Sequence, residues 1–196
     1  MKKIVIFASG SGTNAENIIK HFKSTSTGKV VSVFTNNPNA KVIERAKNFQ
    51  IPTEIFSKEE LYSGKVLQKL IAIAPDLIVL AGFLLKFPKN IVESYPNAII
   101  NIHPALLPNY GGKGMYGMNV HRAIVENKEK ETGITIHYVN ENYDEGNIIF
   151  QKKVTVLVTD TPEVVAEKIY ELEQKYFPTV IEEVLTSNSQ LPASNF

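Results

Sequence analysis

The chain of 196 residues has no cysteine and no tryptophan, and only four histidines. Without cysteine there is no disulfide, no thiolate nucleophile and no thiolate zinc site. The histidines, His21, His103, His121 and His137, are too scattered for HExxH or a comparable ligand spacing, so no metal is expected. An excess of one charge is also lacking: 21 Lys and Arg against 20 Asp and Glu leave a formal net charge of +1. That balance gives no general pull toward nucleic acid or a membrane, so any anion must be bound locally. Long apolar runs are missing too. The first, residues 4–8 after Lys2 and Lys3, is shorter than a secretory signal core, and nowhere do about eighteen apolar residues follow one another. A cytoplasmic protein is expected. No serine-nucleophile elbow or phosphate-loop lysine motif occurs either.

What is present is ordinary globular composition, 43% hydrophobic and 21% charged, enough for one domain over residues 1–186 with a polar, frayed tail at 187–196. Short β-branched runs alternate with helical segments, the pattern of an α/β fold with a doubly wound, mainly parallel sheet. Strands are expected at 4–8, 29–35, 52–56, 76–81 and 98–103, the third at a sheet edge because Pro52 cannot donate to a ladder. Runs 132–139 and 148–158 read as an antiparallel pair appended to that core. Helices are expected at 40–49, from the Ser57 cap to about 73, at 120–126, and from Thr161-Pro162 onward. Pro178 interrupts or kinks the last of these.

The first strand runs into Ser9-Gly-Ser-Gly-Thr-Asn14, where Gly10 and Gly12 permit tight turns and Thr13 or Asn14 is placed to cap a helix. Three readings stand: a phosphate nest, a dinucleotide turn, or an empty glycine turn. The end of the second strand, Thr35-Asn-Asn-Pro38, lacks the acid a nicotinamide cofactor's ribose needs, which favours a phosphate monoester. The loop Gly82-Phe-Leu-Leu-Lys-Phe87 is either core or an apolar wall against a flat heterocycle.

Chemistry concentrates in Asn101-Ile-His103-Pro104. Period-2 geometry puts the amide and imidazole on one strand face, where the sheet meets a turn; Leu107-Pro108 is a candidate cis bond. Asp144, in the loop between the last two strands, is either the carboxylate that charges His103 or a hairpin-turn acid. His103 itself is either catalytic or structural. His21 and His121 read as helix-face residues and His137 as a strand residue without a convincing polar partner. An amide, an imidazole and a carboxylate suit acyl transfer to an amine through a tetrahedral intermediate.

In this order and spacing, Ser9-Gly-Ser-Gly-Thr-Asn14, Ala81-Gly-Phe83, Asn101-Ile-His-Pro-Ala-Leu-Leu-Pro108 and Asp144-Glu-Gly146 resemble the phosphoribosylglycinamide formyltransferase family, over residues 4–184. The resemblance implies a mixed, mainly parallel sheet of about seven strands. It implies two small-molecule substrates, glycinamide ribonucleotide and 10-formyltetrahydrofolate, with no metal. By that resemblance Gly12, Thr13 and Asn14 hold the phosphate and Glu173 meets the glycinamide end. The folate is met by Lys58, Leu84, Leu85, Lys86, Phe87, Asn101, Val139 and Asn140. Asn101, His103 and Asp144 are catalytic, with Asp144 favouring the imidazolium. The chain departs from the pattern at Thr13, where many members carry serine, and in the longer segment 111–120.

Among relatives sharing the core motif, a methionyl-tRNA formyltransferase would need a domain beyond Phe196, and a formyltetrahydrofolate deformylase one before Ile4. A sugar-nucleotide formyltransferase is the nearer alternative, disfavoured by the glycine turn. From another class, a noncatalytic nucleotide- or NAD-binding module remains.

Overall fold

β-branched runs too short for helices and flanked by turn residues pair side by side, and the computed structural model, which describes residues 1–187, sets seven of them in one sheet. The strands are β1 Lys2–Phe7, β2 Gly28–Thr35, β3 Thr53–Ile55, β4 Leu77–Leu80, β5 Ile99–His103, β6 Glu131–Tyr138 and β7 Ile148–Thr155. Their order is β3-β2-β1-β4-β5-β6-β7; the first five run parallel, and β6 and β7 are antiparallel to their neighbours. The strand order reverses at β1 and β4, so a crevice opens where their carboxyl ends part. β3 lies at the edge, where the missing donor of Pro52 costs nothing and its carbonyl accepts from Val33.

The helices are α1 Thr13–Lys23, α2 Val42–Asn48, α3 Lys58–Tyr62, α4 Lys65–Ile73, α5 Lys89–Ser94, α6 Met118–Glu126 and α7 Pro162–Ser187. One core packs α1, α2, α6 and α7 on the sheet; a second packs α3, α4 and α5 on its other face. The second is centred on Phe7, whose ring meets those of Phe34, Phe56, Phe83 and Phe87 at centroid distances of 4.9 to 5.8 Å. Burying a side chain of this size contributes about 1.5–3 kcal/mol. Phe83 and Phe87 thereby anchor the loop after β4 at both ends.

One helix expectation is corrected and a second, for Pro178, is narrowed. The segment after Ser57 is two helices rather than one, because Gly64 takes a left-handed φ of 92° between α3 and α4. The Ser57 cap is as expected, with Glu60 completing a capping box. Pro178 does not interrupt α7. Its missing N–H orphans the carbonyl of Gln174, and Asn17 of α1 supplies the replacement through Nδ2 at 2.7 Å. Asn14 and His21, on the same face of α1, also bond to α7, at Glu173 and Gln174 and at Glu182. This polar stripe ties the glycine turn to the last helix. Residues 188–196 of the expected tail lie outside the described residues, and Ser187 closes α7. No helix among the described residues is long and apolar enough to cross a membrane.

Candidate active site

The crevice is a cavity of about 570 Å³, within the range of small-molecule sites. Three strand ends are knitted above it by Ser9, whose Oγ donates to Asn36 Oδ1 at 2.7 Å and accepts the Leu84 N–H at 3.0 Å. One wall is the loop after β4. Leu84, Leu85, Lys86 and Phe87 all line the cavity, so the loop is core at its aromatic anchors and wall between them. Val139 and Asn140, at the end of β6, continue that wall. Opposite stand Asn14 of α1 and Tyr170 and Glu173 of α7, with the glycine-rich segment of Gly112 to Gly117 closing the side.

Asn101 and His103 project together from β5, and Asp144 reaches them from the β6–β7 loop. His103 Nδ1 lies 3.5 Å from Asp144 Oδ2, and Asn101 Nδ2 lies 3.4 Å from Asp144 Oδ1. The carboxylate arrives on a left-handed residue, φ 56°, and its Oδ2 accepts the Gly112 N–H at 2.9 Å. Two residues on, a Cβ at Gly146 would sit 1.7 Å from the Tyr138 carbonyl oxygen, so only glycine lets the loop return this close to β6.

The tautomer of His103 follows from its neighbours. Nε2 meets the Tyr110 carbonyl at 2.7 Å, and a carbonyl can only accept, so Nε2 carries the proton. Nδ1 is then the titrating atom, turned toward Asp144. Burial pushes the imidazole's pKa below its ordinary value; Asp144 and the Tyr110 carbonyl raise it, but not enough. Asp144 thus favours the imidazolium, as expected, but burial outweighs it and the net shift is downward, toward the neutral ring. Burial also works to raise the Asp144 carboxyl, but contacts with His137, His103 and the Gly112 N–H outweigh it and hold the group below its usual range. Nδ1 and Oδ2 are thus two acceptors facing each other, consistent with a gap longer than a hydrogen bond.

His137 is the residue missed in the sequence. It pairs across the antiparallel ladder with Asn101, its Nδ1 donating to the Tyr138 carbonyl at 2.8 Å. Nε2 faces both Asn101 Nδ2 at 3.2 Å and Asp144 Oδ1 at 3.6 Å. Asn101 Nδ2 also donates to Asp144 Oδ1 at 3.4 Å, so His137 and Asp144 together set the flip of the amide. The signal was the β5–β6 register, which residue spacing alone does not supply.

Other sites depart from expectation. Neither Thr13 nor Asn14 caps α1: the cap position is Gly12, at φ 74°, where a Cβ would meet Val42 at 2.5 Å. The Asn14 amide is committed at both ends, donating to Glu173 Oε2 at 2.8 Å and accepting from Gln174 Nε2 at 2.9 Å. Asn14 lines the cavity, whereas Gly12 and Thr13 are not among its lining residues. Lys58 is not brought to the cavity at all. It is the exposed first residue of α3, beyond the Ser57 cap, and the lysines that do line the cavity are Lys86 and Lys113. Burial raises Glu173 to about 6, with the Asn14 bond opposing. His121 also lines the cavity, and its buried Nδ1 has no partner among the described residues. The Leu107-Pro108 bond is cis.

Comparison with known proteins gives one consistent result. A family model described as formyl transferase matches residues 2–181. The chloroplastic phosphoribosylglycinamide formyltransferase of Arabidopsis thaliana is 38% identical over 187 residues, covering 92% of this chain and 64% of that protein. The chain thus spans just under two thirds of that relative, and 60% of the Vigna unguiculata one. The phosphoribosylglycinamide formyltransferase of Bacillus subtilis is 36% identical, covering 97% of this chain and 98% of that protein. A crystal structure of the Bacillus halodurans protein of that name superposes with a TM-score of 0.87 at 36% identity, over 97% of this chain and 98% of the other.

Proposed function

The chain belongs to the formyl transferase family, and from that membership we propose that it moves the formyl group of 10-formyltetrahydrofolate onto the amine of N1-(5-phospho-D-ribosyl)glycinamide, a step of purine nucleotide synthesis. The observation that carries the reading is the meeting of Asn101, His103 and Asp144 between two chemically different walls. The apolar wall of Leu84, Leu85, Phe87 and Val139 suits a flat pterin, with loop backbone for its polar edge. The wall of Asn14 and Glu173, beside the glycine turn, suits the phosphorylated amine. Because the Asn14 side chain is already engaged, a phosphate would be met by backbone N–H groups at the start of α1, where the cavity ends at Asn14. Lys113 and Lys86 supply positive charge to the cavity.

The chemistry follows from the hydrogen-bond roles. The free amine attacks the formyl carbon, leaving an oxyanion and a protonated attacking nitrogen. The Asn101 N–H that rests on Asp144 Oδ1 at 3.4 Å turns to the oxyanion. The proton on nitrogen moves to Nδ1 of His103, where Asp144 shares it, and from there to N10 of the folate. The C–N10 bond then breaks, the oxyanion returns to a carbonyl, and tetrahydrofolate leaves. Holding both reactants in one cavity contributes as much as the acid and base do.

The test is formyl transfer between these two compounds by the full chain, followed by product mass. Asn101→Ala should lower kcat by about 10²- to 10³-fold, the usual loss for one oxyanion donor. Transfer to a sugar-nucleotide amine in place of glycinamide ribonucleotide, or binding of NADH alone, would replace this reading with one of its rivals.

A further inference from the structure

One loop grips both members of the proton-carrying pair. The Tyr110 carbonyl accepts from His103 Nε2, and two residues on the Gly112 N–H donates to Asp144 Oδ2. At both positions the backbone is left-handed, φ 57° at Tyr110 and 94° at Gly112. Glycine adopts that conformation freely; tyrosine rarely does, so something outside the backbone must hold it. The Tyr110 side chain does. Its hydroxyl donates to Glu129 Oε1 at 2.7 Å and accepts from Asn127 Nδ2 at 3.0 Å, both in the turn between α6 and β6, and its ring packs against the core of that sheet face.

We propose that Tyr110 is a positioning residue for His103: with its hydroxyl clamped by Glu129 and Asn127, it holds its own carbonyl on Nε2 and so fixes the Nε2–H tautomer, with the Nδ1 lone pair turned to Asp144 and the cavity. This rests on the reading of His103 as the group that carries the proton in formyl transfer. The ionisable groups facing the imidazole are Asp144 and His137, and the one facing the Tyr110 hydroxyl is Glu129. None of them demands Nε2–H, since Asp144 is on the Nδ1 side. Without the carbonyl, a neutral ring would turn its hydrogen to the carboxylate instead, and Nδ1 would no longer be free to take a proton.

Nitrogen NMR of the histidine rings in the full chain reads the tautomer directly, with His103 assigned by the loss of its signal in His103→Gln. The wild type should show a protonated Nε2 and a bare Nδ1 at neutral pH. Tyr110→Phe should show a mixture, with kcat down by about tenfold and both KM values within twofold. Glu129→Gln, which keeps an acceptor for the hydroxyl, should behave as wild type. Glu129→Leu should copy Tyr110→Phe, and the double variant should lose no more than either alone. A pure Nε2–H signal in folded Tyr110→Phe overturns the proposal. If that variant does not fold, identical tautomers in Glu129→Gln and Glu129→Leu overturn it equally. Absence of formyl transfer in the wild type would defeat the functional reading while leaving this comparison intact.

Discussion

At His103 two opposed effects of similar kind decide the protonation state. Water excluded from the strand end disfavours the imidazolium, and the carboxylate 3.5 Å away favours it; the first is larger, and the ring waits neutral. In the proposed transfer, an oxyanion forming beside it shifts that balance, so the proton is taken up as charge develops rather than before. Asp144→Asn removes the favourable term and leaves the desolvation. The His103 pKa should fall further below its ordinary value, and the acid limb of kcat against pH should move the same way. An NMR titration of the variant checks the direction; an unchanged midpoint would mean the carboxylate does not act on the ring. The residue pairing was half legible in the sequence. Asn101 and His103 announce themselves by sharing a strand face before a proline, whereas His137 looks like any strand residue until the ladder sets it opposite Asn101.

At the level of elements, the site depends on how short connections are bent. The β6–β7 loop leaves Tyr138 and returns so close that a Cβ at Gly146 would sit 1.7 Å from the Tyr138 carbonyl oxygen, and that return presents Asp144. Gly146→Ala must push the loop off the Tyr138 carbonyl. Overpacking of this kind costs about 1–3 kcal/mol, so the denaturant midpoint should drop. Activity should fall well beyond what the unfolded fraction explains, because the carboxylate moves with the loop; equal losses in the two measurements would show that Asp144 tolerates displacement. Helix ends were legible where local chemistry makes them, as at Ser57 with Glu60. They were not legible where a distant group decides. Gly64 breaks a periodic pattern that looks continuous. Pro178 leaves α7 unbroken because Asn17, far back in the chain, satisfies the carbonyl it orphans.

Across the whole molecule, α7 is where stability and function pull against each other. Its stripe of bonds to α1 braces the glycine turn, yet Glu173 in that stripe is a buried carboxyl raised to about 6, with only the Asn14 amide bonded to it among the hydrogen bonds of the described residues. The sign of its effect is fixed. Unfolded, the group ionises near 4.5; folded, it keeps its proton to about 6. Between those values the folded state binds more protons, so stability falls as pH rises through the window, by about 2 kcal/mol in all, and stays lower above it. The proposed contact of Glu173 with the glycinamide end would give this carboxylate a ligand to offset that cost. Glu173→Gln keeps an acceptor for Asn14 and removes the charge. Compared with wild type, the variant should be equally stable near pH 4.5 and more stable by up to about 2 kcal/mol at pH 8, measured by urea unfolding at each pH. Its KM for the phosphorylated amine should rise while that for the folate holds. A variant no more stable at pH 8 than the parent would mean the carboxylate is already compensated. In that case its burial would serve the α1–α7 contact and not the substrate.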